Sequence, residues 1–144
     1  MKKPKKKINS RDKGNRGERY LAQLINHELS RWRYDATAER GQQRSGSPDS
    51  PDVKSPLNAQ WEMKYGYNKP GELNVEEVYR KVRSETDLTK DIPVVVWKKV
   101  EKGVRHDPLA IMRAEDAIRL LTLMRYLQGM GIENFTPFTD GRDK

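Results

Sequence analysis

The chain has 144 residues, 34% of them hydrophobic and 35% charged, with a net charge of +8 and a sequence pI near 9.7. That length suits one domain with a single core, and the lean apolar content leaves part of the chain outside it. The absence of cysteine excludes disulfides and any cysteine-ligated zinc or iron–sulfur site.

Met1–Lys7 carry five lysines, which leaves about +3 for the remainder of the chain. The positive balance favours a polyanionic partner, although a lysine tail also serves as a solubility device. No apolar run of signal-peptide length follows this basic start. No segment approaches the roughly 20 apolar residues of a membrane span either, so the expectation is a soluble, cytoplasmic protein. Residues 1–12 read as a basic, mobile tail, 13–130 as the folded domain, and 131–144, with Pro137 and Gly141, as a second mobile tail.

The first helix is predicted over Lys13–Leu29, where Leu21, Leu24, Ile25 and Leu29 form one apolar stripe. Glu18 falls on that same stripe. A carboxylate there is unfavourable unless it is paired, protonated or bound to a cation. Trp32–Thr37 reads as a strand, followed by a glycine- and serine-rich loop over Arg40–Asp52 with two Pro-Asp turns. The next strand, Gln60–Tyr65, carries the strongest chemical signal. Alternation puts Trp61, Met63 and Tyr65 on one face and Gln60, Glu62 and Lys64 on the other. An acid and a base thus stand side by side, about 7 Å apart by strand rise.

Asn68–Gly71 makes a turn into a helix over Val75–Thr86, with Val75, Val78, Tyr79 and Val82 inward and Arg80, Lys81 and Arg83 adding positive charge. The apolar run that begins at Asp91 and ends at Lys98 suits a strand covered on both faces. Gly103 marks a turn to a further strand, Leu109–Arg113. The last helix, Ala114–Leu127, is apolar on more than one face, which predicts burial from two sides, in the core or at a dimer contact. The predicted order is α-β-β-α-β-β-α, an α/β (α+β) fold with a mixed central sheet flanked by helices.

Phosphodiester hydrolysis needs shielding of the phosphate oxygens, activation of a water and stabilisation of the leaving oxygen. Magnesium does much of this with only one or two protein carboxylates plus substrate phosphate. Asp52 and Glu62 are the candidate carboxylates, and the main-chain carbonyl of Met63 is a candidate third ligand. Lys64 would hold the water, stabilise the hydroxide or neutralise the phosphate. Glu18 would reach the same metal or order a water bound to it. Asp49 rivals Asp52, but the β-branched Val53 after Asp52 favours the latter as the residue entering a strand. Glu-x-Lys alone is a weak pattern, expected about once by chance in so charged a chain.

The whole arrangement resembles the PD-(D/E)xK nuclease superfamily, and within it the archaeal and bacteriophage Holliday-junction resolvases. The residues that carry the resemblance are Lys13-Gly-Asn-Arg-Gly-Glu18-Arg, Arg40-Gly-Gln-Gln-Arg-Ser-Gly46, Ser50-Pro-Asp-Val53 with Trp61-Glu-Met-Lys64, and Ile92-Pro-Val-Val-Val-Trp-Lys98 followed by Leu109–Leu121. It covers roughly Lys13 to Leu127. The resemblance implies a restriction-endonuclease-like core, Mg²⁺ or Mn²⁺ on Asp52 and Glu62, Lys64 acting on the water, and Glu18 assisting. It implies that Arg44 and Ser45 approach the DNA backbone, and that a homodimer cuts branched DNA symmetrically, in a host cytoplasm if the chain is phage-encoded. Arg16, Arg40, Arg80, Lys81 and Arg83 are the further candidate DNA contacts. Where such enzymes often carry a glutamine on the second helix, this chain has Arg80, Lys81 and Arg83.

Two rival readings stand beside this one. A nuclease of the same superfamily could act on flaps or plain duplex. A non-catalytic basic DNA- or RNA-binding protein would use the lysines to grip phosphates and leave the carboxylates as surface charge. His27 and His106 lie far apart in sequence, so a His-ligated zinc site has no support. No glycine pattern matches a phosphate loop.

Overall fold

The computed structural model describes residues 10–41 and 51–130. The two expected tails, apart from residues 10–12 and the C-terminal boundary, lie outside these residues, as does the loop segment 42–50 with Arg44, Ser45 and Asp49. The chain divides into two compact units, Met1–Met112 and Arg113–Lys144.

In the first unit, α1 spans Ser10–Arg31, β1 Glu39–Arg40, β2 Val53–Lys54, β3 Ala59–Tyr65, α2 Val75–Glu85, β4 Ile92–Lys98 and β5 Leu109–Ile111. The fold is mixed α+β. Strands β3, β4 and β5 form one sheet with β4 in the centre, parallel to β3 and antiparallel to β5, while β1 and β2 pair antiparallel as a small second sheet. Helix α1 starts three residues inside the expected tail.

The expected strand over Trp32–Thr37 does not form, and the order is α-β-β-β-α-β-β-α. The reason is the way α1 ends. The amide of Arg33 donates to the Ser30 carbonyl and that of Tyr34 to the Leu29 carbonyl. Arg33 sits at φ 53, which makes this a Schellman stop with an arginine in the left-handed position. Those amides are spent on the helix and are not free for a ladder. Pairing begins only after Ala38, whose amide and carbonyl both bond the Asn26 side chain, at 2.6 and 2.9 Å.

The apolar run of β4 is covered on both faces. Val94 and Val96 join Leu21, Ala22, Ile25, Leu29, Val53 and Met63 in the core under α1. Pro93 and Val95 alternate to the opposite face, where Val82 of α2 is also buried. Helix α2 opens on Asn74, whose side chain accepts from the Glu77 amide, a cap that satisfies one otherwise orphaned donor.

In the second unit, α3 spans Ala114–Gly129. Arg113, at its N-cap, makes two bonds to the buried Asp116 at 2.9 and 3.0 Å. This helix is expected to be buried in the core or at a dimer contact; among the described residues its Ile118, Leu120, Leu121 and Leu123 are exposed.

Helix α1 meets β3 at Gly17, where an added Cβ would lie 2.6 Å from the Tyr65 Cβ and 3.1 Å from the Met63 Cγ. At Gly14, on the same helix, a Cβ would meet nothing within 4 Å. Gly17→Ala should therefore cost about 1–3 kcal/mol through overpacking. Gly14→Ala should gain roughly 0.5–1 kcal/mol through helix propensity. Urea denaturation of the two variants checks the contrast.

Candidate active site

Four segments converge on the outer edge of β3. The chain runs down β1 to Gly41 and returns at Pro51, and the Gly41 amide donates to the Asp52 carbonyl at 2.9 Å. Val53 is fully buried, so the residue just before it is held against the sheet. The Asp52 amide donates to the Trp61 carbonyl at 3.1 Å, and its Oδ2 accepts from the Met63 amide at 2.8 Å. Asp52 therefore pairs with β3 through its main chain at one residue and its carboxylate two residues on. In an extended strand the N–H and C=O of one residue point to the same side. The Met63 carbonyl consequently faces Asp52 rather than β4.

Glu62 and Lys64 share a face of β3, as alternation requires, and Lys64 Nζ lies 3.1 Å from Glu62 Oε1. Both side chains are about four-fifths buried. Burial works against the Lys64 ammonium, but the charge and hydrogen bond of Glu62, together with Tyr67 and Asp52, hold its pKa above the usual lysine value. The Asp52 pKa is raised as well, but for an acid that shift disfavours the charged form. Burial, and then the negative charge of Glu62, push its carboxyl from the ordinary 3.8 up to about 7, against the Met63 amide bond and the Lys64 charge. Glu18 adds a smaller push of the same sign.

Glu18 is buried, as its place on the apolar stripe predicts, and its Oε2 receives Arg40 Nε at 3.0 Å. Arg40 also donates from Nη2 to Asn15 Oδ1. Ion pairing is thus how α1 tolerates this acid, and Arg40 is engaged inside the site rather than extended from it. Arg16, Arg80, Lys81 and Arg83 are exposed. Arg80 is tied to Glu76 at 2.6 Å on the outer face of α2. His27 is exposed, and His106 pairs with Glu101 in the β4–β5 hairpin.

Among the described residues no three His, Cys, Asp or Glu side chains form a metal-binding group. The donors present are two carboxylates, Asp52 and Glu62, with the Met63 carbonyl turned to the same edge. That all-oxygen, carboxylate-poor set suits magnesium, which keeps several waters, and not zinc. Sequence reasoning passed over Asn15, Lys13 and Tyr67. Lys13 lies inside a motif it singled out; Tyr67 has no sequence signal.

Comparison of the chain with family models, curated proteins and solved structures finds no match.

The Asp52 shift has a stability consequence with a definite sign. Between about pH 4 and 7 the folded chain holds a proton that the unfolded chain releases. Stability therefore falls as pH rises through that window and levels off above it. Asp52→Asn keeps an acceptor for the Met63 amide and removes the buried charge. In EDTA at about pH 8 it should be more stable than the wild type by about 2 kcal/mol, with little difference near pH 4. Urea midpoints at the two pH values measure this; equal wild-type and variant midpoints throughout would mean that Asp52 ionises freely.

Proposed function

We propose that this protein is a metal-dependent endonuclease that hydrolyses DNA phosphodiester bonds, with branched DNA, and four-way junctions in particular, as its substrate. The observation that carries the reading is Asp52 fixed to the edge of β3 by the Met63 amide, beside the Glu62–Lys64 pair on a face of that strand, with the Asp52 carboxyl raised to about 7 by burial and by Glu62. Such crowding of acids beside a buried ammonium is costly as scaffold and useful as a site.

Asp52, Glu62 and the Met63 carbonyl would hold Mg²⁺ or Mn²⁺. That ion would supply charge neutralisation at the phosphate and a more acidic water. The chain's own contribution is positional. The Met63 amide fixes one Asp52 oxygen. Lys64, its charge secured by Glu62, donates toward the attacking water or a phosphate oxygen. Glu18 and Arg40 brace the α1 side. The exposed Arg16, Arg80, Lys81 and Arg83, with Arg44 and Ser45, would take backbone phosphates, which position a duplex without reading its sequence.

The substrate class and the assembly rest on the resemblance to junction resolvases, in a restriction-endonuclease-like core and in a cytoplasmic setting. A two-fold junction calls for a two-fold enzyme, and the exposed Ile118, Leu120, Leu121 and Leu123 on α3 offer apolar surface for a homodimer. No helix among the described residues is long and apolar enough to cross a membrane.

The test is cleavage of an immobile four-way junction and a matched linear duplex, each with Mg²⁺ or EDTA, by wild-type protein and Glu62→Ala. Paired nicks on the junction alone are expected, abolished by EDTA and reduced by about 100-fold or more in the variant. Equal cutting of both substrates would retain the nuclease and discard the junction preference. Tight binding with no metal-dependent cutting would leave a basic nucleic-acid binder.

A further inference from the structure

Lys13, in the first turns of α1, crosses to the far end of β3. Its ammonium lies 4.2 Å from the centroid of the Tyr67 ring, and the Lys64 ammonium lies 5.8 Å from the same centroid. Two cations therefore share one aromatic ring, and one of them is the lysine beside Glu62. The side chain reaches this position over Gly66, which has φ +82 and where an added Cβ would stand 2.8 Å from the Lys13 Cε. Both Lys13 and Tyr67 are half-buried.

The electrostatics of this pair are unbalanced. Lys64 is offset by Glu62 at 3.1 Å, whereas no described carboxylate pairs with Lys13. A ring face attracts a cation weakly through its quadrupole, and somewhat more when the cation is desolvated. That is enough to orient an ammonium but not to neutralise it. An anion arriving beside Lys64 meets a second, pre-positioned positive charge, held by a short α1 reach and a packed ring rather than by a mobile loop. A polynucleotide backbone carries phosphates in series, so an anion at Asp52 and Glu62 brings another within reach.

We propose that Lys13 is a substrate-binding residue of this site, oriented by the Tyr67 ring, and that it takes the backbone phosphate next to the one presented to Asp52 and Glu62. Tyr67 is the positioning residue. The inference rests on the nuclease reading, because it requires a polynucleotide at the site.

The experiment measures duplex and junction binding by the full chain in EDTA over a range of KCl concentrations, so that cutting does not intervene. Lys13→Met keeps a stem of similar length over Tyr67 and removes the charge. If Lys13 holds a phosphate, its loss should weaken binding several-fold on any sequence and reduce the slope of log K against log salt by about one. Lys13→Arg should retain the wild-type slope. Thermal melting of each variant distinguishes lost contact from lost fold, and Lys13→Met should melt close to the wild type. A wild-type slope in a folded Lys13→Met would overturn the inference and leave the nuclease reading standing. A wild-type protein that fails to bind DNA at low salt would overturn both.

Discussion

Among the described residues, no full strand lies beside the outer edge of β3. Where a neighbour's carbonyl would accept the Met63 amide, the Asp52 carboxylate does so at 2.8 Å, two residues after the Asp52 main chain has bonded Trp61. This side-chain substitution joins the small β1–β2 sheet to the main one. It also fixes where a charged group must sit, because the carboxylate cannot turn toward solvent without leaving a β3 donor unsatisfied, a loss of about 1–3 kcal/mol if that donor is buried. Val53 beside it is fully buried and anchors the segment from the other direction.

Most of the site's electrostatics follow from that placement. A carboxylate held at the sheet edge lies close to Glu62 on one face and within the field of Glu18 from α1. The protein balances the two neighbours with a cation each, Lys64 on Glu62 and Arg40 on Glu18, and leaves Asp52 with a hydrogen bond but no dedicated partner charge. The acid without its own counter-charge is the one whose pKa climbs. Holding that acid ionised in the folded chain costs stability, because burial and the Glu62 charge both disfavour its carboxylate form.

The packing around the edge serves the same end. Gly17 lets α1 approach β3 closely enough for Glu18 to look onto it, and the same approach carries Lys13 to Tyr67. Parallel pairing of β3 with β4 needs the α2 crossover, and that places one helix on each face of the sheet. The face bearing Glu62 and Lys64 is therefore built beside α2, whose outer surface carries Arg80, Lys81 and Arg83.

Much of this was legible in the linear chain, because period determines which side chains share a face. Alternation in Gln60–Tyr65 and the 3–4 spacing of Leu21, Ile25 and Leu29 were sufficient to place Glu62 with Lys64 and to make Glu18 an anomaly on an apolar stripe. The apolar run in β4 foretold a strand covered twice. What failed was the strand over Trp32–Thr37. Its residues look β-like, yet the Schellman stop, with Arg33 where glycine is usual, takes the amides of Trp32, Arg33 and Tyr34, and local propensity carries no record of such competition. Other features were decided only by tertiary contact. The pairing of Glu18 with Arg40 spans 22 residues, the Asp52–Met63 bond closes a loop, and the Lys13–Tyr67 contact joins the start of α1 to the end of β3. Residue types and the faces they occupy follow from the linear chain; which charges meet follows only from folding, because distance between remote residues is set by packing and not by spacing.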